Sequence, residues 1–395
     1  MFAGNEPDPD VRLASQAPLV SQIVLKVASL CNLNCSYCYV YNAKDKSYLD
    51  RPPQLSEDLT RTLLSRIRRY CESHPPHRMS ICLHGGEPLL LGRERFRQLV
   101  RLIRADLGPH LGSLNVQTNA VLIDQAWARL LRELKISVSV SLDGDPGTND
   151  SARVDHRGRG TYALTVSGIR HLQNEGIHLS VLSVVRPGAS GADVYRHFRS
   201  LGITDLDFLL PDISHDDWHD QFGQWGPTPA ADFLIPALEA WLAEDNPDVN
   251  VRFFADIFRL ILGDAGETDA FGGGPMPYLI VETDGTMQAN DALRVCEPSM
   301  AETGLNIWTD ELDELNNARP LTRDLLAGAI PKPDACQSCP EFSTCGGGYM
   351  PHRYSRKRGF NNPSVWCADI LRLFEHMRGI VHRWQSAEAG GVTRG

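Results

Sequence analysis

The chain has 395 residues, 42% of them hydrophobic, which is ordinary for a globular protein with a sizeable core. Its formal net charge of −10 at pH 7 argues against nucleic acid as the main partner, because nucleic-acid binders normally carry a basic excess. No apolar stretch is long enough to span a bilayer and no secretory signal is visible, so we expect a cytoplasmic protein without a membrane partner.

Short β-rich runs alternate with amphipathic segments over the first half of the chain, and this pattern predicts an α/β fold built from repeated βα units. Six parallel strands suit a partial barrel and equally an open doubly wound sheet. In both architectures the chemistry belongs at the carboxyl ends of the strands. The predicted strands are 23–27, 79–83, 114–118, 136–142, 178–185 and 206–210, and the clearest predicted helices are 56–71, 93–107, 124–134 and 162–174.

Three cysteines follow the first predicted strand: Cys31, Cys35 and Cys38. Three thiolates can hold three corners of a [4Fe-4S] cluster and leave its fourth iron open to a small molecule. A four-thiolate zinc site would need another cysteine nearby, and the next one in the chain is Cys71. A redox-exposed or zinc-binding cysteine group is the other interpretation. Because cluster ligands must stay reduced, the expected compartment is reducing.

Polar or glycine-rich segments follow the next three strands, which supports a single active-site mouth. After the second strand, two glycines could let the backbone approach a ligand, and a neighbouring carboxylate could accept from an ammonium group. The same four residues in isolation would suggest only a turn. The segments contain Gly85, Gly86, Glu87 and Pro88 after the second strand, Thr118 and Asn119 at the third, and Ser141 and Asp143 at the fourth.

A second cysteine group near the C terminus has the spacing C-x2-C-x5-C-x21-C. Four thiolates form a closed shell, which suits a fully ligated auxiliary [4Fe-4S] cluster rather than an open catalytic one. A four-cysteine zinc ribbon is the alternative that spacing alone leaves open. The group consists of Cys336, Cys339, Cys345 and Cys367.

The run from Cys31 to Cys38, with Tyr37 before its last cysteine, resembles the signature of the radical S-adenosylmethionine (SAM) enzymes. The resemblance implies a partial (β/α)6 barrel in which the open iron binds SAM, whose reductive cleavage gives a 5'-deoxyadenosyl radical. It further implies that the Gly-Gly-Glu-Pro segment lies along SAM and engages its amino group. The other implied SAM contacts are Ser141 and Asp143 near the ribose, Arg153 at the carboxylate, and Thr118, Asn119 and Val184 along the pocket, although core packing explains Val184 as well.

The C-terminal cysteines resemble the SPASM extension of peptide-modifying radical SAM enzymes, which implies a small C-terminal auxiliary iron-sulfur domain. The full SPASM pattern has seven cysteines for two clusters, and one of them falls where this chain has Tyr349. Only Cys296 lies near the expected ligands of the first auxiliary cluster. We therefore expect one auxiliary [4Fe-4S] cluster, with Cys296 as a spare thiol.

Within this superfamily the chain resembles the FxsB-like group of ribosomal-peptide maturases. The resemblance implies a precursor-peptide substrate, a cyclophane cross-link from an aromatic carbon to a Cβ, and an external reductant such as flavodoxin or ferredoxin. Other modifications remain open: thioether or ether cross-linking, epimerisation, and oxidation of a sulfatase serine or cysteine to formylglycine. A non-catalytic electron carrier would need the cysteines alone. The resemblance rests on the runs 24–27, 38–41, 83–88, 207–211, 281–285 and 362–367.

A change in composition after residue 211 suggests a domain boundary. Asp212, just beyond the sixth strand, is the predicted base that takes a proton from the substrate. The expected organisation is an N-terminal segment 1–21, the barrel 22–211, a linker and helical bridge 212–277, an auxiliary cluster domain 278–384 and a disordered tail 385–395.

Overall fold

The computed structural model describes residues 20–391, with side chains described as far as residue 387. Almost all of the predicted N-terminal segment 1–21 lies outside the described residues. The ten described strands form one sheet in the order β10-β9-β8-β1-β2-β3-β4-β5-β6-β7. They are β1 Gln22–Ala28, β2 Met79–Gly85, β3 Leu111–Thr118, β4 Ser137–Ser141, β5 Leu179–Val184, β6 Asp205–Leu209, β7 Asn250–Val251, β8 Tyr278–Val281, β9 Thr286–Gln288 and β10 Glu302–Asn306.

Strands β1 to β6 pair in chain order and all in parallel, with helices in the connections between them. This arrangement confirms the predicted α/β partial barrel. The α-helices are α1 Glu57–Ser73, α2 Arg93–Leu107, α3 Gln125–Glu133, α4 Pro146–Asp150, α5 Tyr162–Asn174, α6 Gly191–Ser200, α7 His215–Phe222, α8 Pro229–Glu244, α9 Arg252–Leu262, α10 Pro320–Ala327, α11 Phe342–Cys345 and α12 Cys367–Gly391.

Helix α1 shows how local sequence forms the outer layer. Ser56 caps its N terminus, because the Ser56 hydroxyl accepts from the backbone N–H of Leu59 at 3.1 Å. Leu59, Leu63 and Ile67 recur at helical spacing and are at most 1% exposed, so one face of the helix packs on the sheet. Each such helix holds its strand in place and leaves the loop at the strand's carboxyl end free for function.

The C-terminal extension continues the sheet of the barrel. Strand β8 pairs in parallel with β1, and β9 and β10 add antiparallel strands beyond it. Strand β7, from the predicted helical bridge, pairs with β6 at the opposite edge. The backbone groups of both edge strands of the barrel are thereby hydrogen-bonded, and the sheet crosses both predicted domain boundaries.

The predicted tail 385–395 is corrected in part, because α12 extends to Gly391 and residues 385–391 are helical. The apolar face of the helix contacts the core as far as Trp384, immediately before this segment. Phe374, Met377 and Val381 are buried at helical spacing, and the Trp384 ring lies 5.3 Å from that of Phe258. Residues 392–395 lie outside the described part of the chain.

Within residues 20–391, no helix combines the length and apolar character needed to cross a membrane.

Candidate active site

The loop after β1 carries its three cysteines to one wall of a cavity of about 230 Å³, which we call the cysteine cavity. A turn closed by the N–H of Cys38 and the carbonyl of Cys35 at 3.0 Å brings these two residues together. The Cys31 sulfur accepts from the N–H of Leu33 at 3.4 Å. Burial raises the pKa of the Cys31 thiol to about 12, so a cationic partner such as iron is needed to hold it as thiolate. The three thiols fit an open [4Fe-4S] cluster.

Most of the predicted SAM contacts line the same cavity as the three cysteines. Pro88 and Asp143 are the exceptions. Pro88 is buried at the start of a short 3-10 turn, and Asp143 lies behind the cavity wall. Seven of the others lie at the carboxyl ends of β2, β3, β4 and β5, as expected for a parallel sheet, whereas Tyr37 comes from the loop after β1 and Arg153 follows α4. The predicted residues found there are Tyr37, Gly85, Gly86, Glu87, Thr118, Asn119, Ser141, Arg153, Val184 and Asp212.

Both glycines line the cysteine cavity, and each is also needed for a backbone contact. A Cβ on Gly86 would lie 2.2 Å from the carbonyl oxygen of Leu30, and one on Gly85 would lie 2.3 Å from that of Ala28. Gly85 also has a φ of +149°, which side chains rarely adopt. The glycines therefore let the end of β2 pack against the end of β1 and the loop that carries the cysteines, a requirement that sequence analysis did not predict.

Glu87 is fully buried, and both of its carboxylate oxygens are occupied by donors from the chain. Oε1 accepts from the hydroxyl of Thr118 at 2.7 Å and from the N–H of Leu89 at 3.0 Å, while Oε2 accepts from the N–H of Asn119 at 2.8 Å. Glu87 thus joins the loops after β2 and β3. Its predicted contact with a SAM amino group would have to compete with these three donors.

Tyr37, Asp143 and Arg153 form a hydrogen-bonded chain behind the cysteine loop. Arg153 donates from Nη1 to the Tyr37 hydroxyl at 2.7 Å, and that hydroxyl donates to Asp143 Oδ2 at 2.7 Å. The other oxygen of Asp143 accepts from the N–H of Val184 at 3.1 Å. Asp143 therefore orients Tyr37 and the end of β5, whereas sequence analysis placed it at the ribose.

Arg153 retains a free donor beside the cavity. The side chain is 7% exposed, and its buried Nε has no hydrogen-bond partner among the described residues. An unsatisfied buried guanidinium donor is costly, and a carboxylate is its best partner. This observation fits the predicted contact between Arg153 and the carboxylate of SAM.

Sequence analysis missed Gln117, which lies beside Ser141 in the cavity wall. Gln117 donates from Nε2 to the Ser141 hydroxyl at 2.8 Å. The two residues lie on the paired strands β3 and β4, whose register aligns Gln117 with Ser139. A signal was available, because both residues lie near the ends of strands that were predicted to be adjacent.

A second cavity, of about 280 Å³, adjoins the cysteine cavity and shares Tyr39, His84, Leu182, Leu209, Leu210 and Asp212 with it. We call it the acidic cavity, because four carboxyl groups line it. They belong to Asp207, Asp212, Asp269 and Asp291. Only Asp212 was predicted as a site residue. Asp269 and Asp291 come from distant parts of the chain, while Asp207 lies within the sixth strand, five residues before Asp212.

Asp291 and Asp212 have opposite electrostatic environments. Burial acts to raise the pKa of Asp291, but Lys26, whose Nζ lies 2.6 Å from Oδ2, and Arg294 outweigh it and lower this pKa to about 2. Burial raises the pKa of Asp212 to about 8, with smaller contributions from the charges of Asp291 and Asp269. One carboxyl group is thus fixed as an anion, while the other exchanges a proton near neutral pH.

The four C-terminal cysteines converge on one small cavity beneath the N terminus of α12. Cys367 begins this helix, and Cys345 ends α11. Gly346, with a φ of +65°, turns the chain tightly here, since a Cβ would lie 2.1 Å from the backbone nitrogen of Gly273. The convergence of four thiols from a 32-residue stretch fits a group with four cysteine ligands.

Tyr349 and Cys296 do not join either cysteine group. The Tyr349 hydroxyl donates to Asn290 Oδ1 at 3.0 Å, and its ring packs edge-on against that of His352. Cys296 is fully buried, with its sulfur 3.7 Å from the carbonyl oxygen of Pro351. Hydrogen bonding and core packing account for both side chains.

Comparison with known proteins agrees with this site. Residues 25–201 match the model of the Radical SAM superfamily. A serine-type anaerobic sulfatase-maturating enzyme of Klebsiella pneumoniae is 32% identical over 358 residues, covering 85% of this chain and 83% of that protein. A cysteine-type anaerobic sulfatase-maturating enzyme of Clostridium novyi is 22% identical over 362 residues, covering 90% of this chain and 94% of that protein.

The fold is also that of a solved enzyme. The structure of native anSMEcpe with bound AdoMet and a Cp18Cys peptide superposes with a TM-score of 0.76 at 21% identity. The match covers 93% of this chain and 99% of that one.

The chain belongs to the radical SAM superfamily, and within it to the enzymes with a SPASM-type C-terminal extension. It is a radical SAM enzyme, and its cofactors are SAM and a [4Fe-4S] cluster.

Replacing Arg153 by glutamine tests the assigned carboxylate contact. We expect the Kd for SAM to rise roughly tenfold or more, because a hydrogen bond to a charged group is lost. Equilibrium dialysis with anaerobically reconstituted protein measures this Kd, and iron content should stay unchanged. Arg157→Gln, at an exposed position four residues after Arg153, is the matched control. Unaltered SAM affinity in Arg153→Gln would refute the contact.

Proposed function

We propose that this enzyme oxidises the Cβ atom of a residue in a peptide substrate. The observation that carries the proposal is the wall shared by the two cavities, where Asp212, His84 and Leu210 border both. A substrate residue at this shared wall would therefore lie next to the site of radical formation. The sulfatase-maturating relatives support a peptide or protein as substrate.

The proposed chemistry needs a radical, an electron acceptor and a base. When bound, SAM and its cluster supply a 5'-deoxyadenosyl radical that takes a hydrogen atom from Cβ, and an auxiliary cluster at the C-terminal cysteines supplies an acceptor for one electron. The substrate must release a proton with that electron. Asp212 is the proposed proton acceptor, because it lines both cavities and no donor among the described residues hydrogen-bonds to its carboxyl group.

Formylglycine formation is the outcome that the comparisons support best. Loss of a hydrogen atom, an electron and a proton converts a serine side chain directly into the aldehyde. Cysteine gives a thioaldehyde by the same losses, and water then hydrolyses it to the aldehyde with release of hydrogen sulfide. The relatives include both serine-type and cysteine-type enzymes, so this chemistry replaces the cyclophane cross-link as the leading proposal.

An aromatic cross-link to Cβ remains the second candidate. It starts with the same hydrogen abstraction, and the aromatic ring then loses the electron and proton. The run 207–211 is part of the resemblance to FxsB-like maturases, and Asp207, Phe208, Leu209 and Leu210 from this run line the acidic cavity. That position favours a role of these residues in substrate selection.

Peptide turnover distinguishes the two outcomes. The reconstituted enzyme is incubated anaerobically with SAM and one of three peptides. The first carries a central cysteine, the second a central serine, and the third an aromatic residue near a serine. Dithionite replaces the expected flavodoxin or ferredoxin as the reductant. We expect 5'-deoxyadenosine together with a peptide aldehyde that a hydrazide traps. A cross-link would show the loss of two hydrogens without an aldehyde. Deoxyadenosine formation without any peptide product would contradict the proposal, and Cys31→Ala is the inactive control.

We expect one auxiliary [4Fe-4S] cluster, held by Cys336, Cys339, Cys345 and Cys367. Cys345→Ser should lose half of the iron and abolish peptide oxidation, yet keep deoxyadenosine formation within about twofold, because the cluster that reduces SAM is separate. Iron analysis and product assays measure these quantities. Cys296→Ala is the control and should keep all of the iron. Loss of iron in that control, or bound zinc in the native protein, would contradict the assignment.

Asp212→Asn should slow peptide oxidation by roughly 100-fold while SAM cleavage persists, because the base is lost and the radical source remains. The pKa of Asp212 is raised to about 8, so its carboxyl group is protonated below that pH and ionised above it. Peptide oxidation by the native enzyme at limiting peptide, which reports the ionisation of the free enzyme, should therefore rise as pH increases through about 8. Rates of oxidation relative to SAM cleavage, measured across pH, check this profile. Full oxidation by Asp212→Asn would exclude the role.

A further inference from the structure

We propose that the acidic cavity binds the cationic side chain of a lysine or arginine next to the residue that is oxidised. This inference rests on the proposed function, because it takes the substrate to be a peptide. It assigns a specificity site to the cavity formed by residues of β6, the segment before α7, the segment before β8 and the C-terminal extension.

Charge pairing within the cavity leaves two carboxyl groups without a cation. Asp291 pairs with Lys26 at 2.6 Å, and Asp207 accepts from Nε of Arg252 at 2.8 Å. Among the described side chains, the one that donates to Asp269 is the neutral hydroxyl of Tyr278, at 2.6 Å. Within the described residues, neither Asp269 nor Asp212 has an ion-pair partner.

Burial makes these two unpaired groups unfavourable as anions. It raises the pKa of Asp269 as well as that of Asp212. A cation placed between them would stabilise both charged forms, since opposite charges interact strongly in a desolvated site. The same cation would convert Asp212 into the ionised base that the proposed reaction needs. Binding of a basic side chain would thus prepare the site for proton transfer.

His352 is an independent observation that points to a bound group. This residue lines the acidic cavity and is 2% exposed, yet neither ring nitrogen has a hydrogen-bond partner among the described residues. The backbone carbonyl of Pro211 is a neighbour of the His352 ring, but its position does not meet the geometry of a hydrogen bond with either ring nitrogen. Burial lowers the pKa of His352 to about 3, so the ring is neutral and one nitrogen can accept from an ammonium or guanidinium group.

The dimensions of the cavity suit a single side chain. Its volume of about 280 Å³ lies just below the range of about 300–1,000 Å³ that is typical of pockets for whole small-molecule ligands. The aromatic rings of Tyr39, Phe253 and Tyr349 line it, and they can cover the methylene groups of a long side chain. Because it shares a wall with the cysteine cavity, the occupant would belong to a residue close in sequence to the target.

Matched peptides test the inference without requiring turnover. Fluorescently labelled peptides with a central cysteine or serine carry lysine, its neutral analogue norleucine, or glutamate at a flanking position. Anisotropy titrations use the reconstituted holoenzyme with SAM, under anaerobic conditions and without reductant. For at least one flanking position we expect the lysine peptide to bind at least tenfold more tightly than the norleucine peptide, and the glutamate peptide to bind most weakly.

Asp269→Asn should reduce the preference for lysine over norleucine below threefold and leave the affinity for the norleucine peptide within twofold. The asparagine keeps an acceptor for Tyr278, so the cavity wall should be preserved. Asp248→Asn, at an exposed carboxyl group, is the matched control and should retain the full preference.

The outcomes separate this inference from the proposed function. Equal binding of lysine and norleucine peptides at every flanking position would overturn the cation site while leaving peptide oxidation intact. An undiminished lysine preference in Asp269→Asn would also overturn it. Failure of every peptide both to bind and to be oxidised, with normal SAM cleavage, would overturn the proposed function as well.

Discussion

The pairing of β1 on both of its sides is the constraint on which the rest of the structure depends. β2 pairs with one edge of β1 and β8 with the other, both in parallel, so the loop that follows β1 lies between the barrel and the C-terminal extension. That loop carries the three cysteines. Two glycines after β2 let the backbone pack against it, and a Cβ at either position would collide with the loop or with the end of β1. The extension that follows β8 supplies Asp291, which pairs with Lys26 near the end of β1.

Buried polar groups around the cysteine cavity and the acidic cavity fall into two classes. Some are fully paired within the chain: Glu87 has three donors, and Asp143 is satisfied by Tyr37 and the backbone of Val184. Such groups fix geometry, because an unpaired buried charge would cost several kcal/mol. Others have a donor or acceptor without a hydrogen-bond partner among the described residues. These are Arg153 beside the cysteine cavity, and His352 and Asp212 beside the acidic cavity. Because buried polar groups in stable folds normally have partners, we infer that a bound ligand supplies the missing partner of each of these groups.

Sequence patterns predicted the architecture more reliably than they predicted contacts. Spacing and placement after strands identified both cysteine groups, and nine of the predicted SAM contacts line the cysteine cavity. The partner of Asp143 and the backbone contact of Gly86 were not predicted, because each depends on a residue far away in sequence: Tyr37 for Asp143 and Leu30 for Gly86. Asp269 and Asp291 went unnoticed, since an isolated aspartate in a loop has no pattern that distinguishes it from a solvated one.

The amino-acid sequence by itself determined the number and grouping of the thiols and the order of the parallel strands, because these follow from local spacing and from alternation of hydrophobic residues. Only the tertiary structure decided that the sheet runs through the predicted domain boundaries, that α12 continues to Gly391, and which carboxyl groups meet in one cavity. Strand pairing across some 250 residues and the ionisation of buried acids depend on register and burial, which no local pattern records.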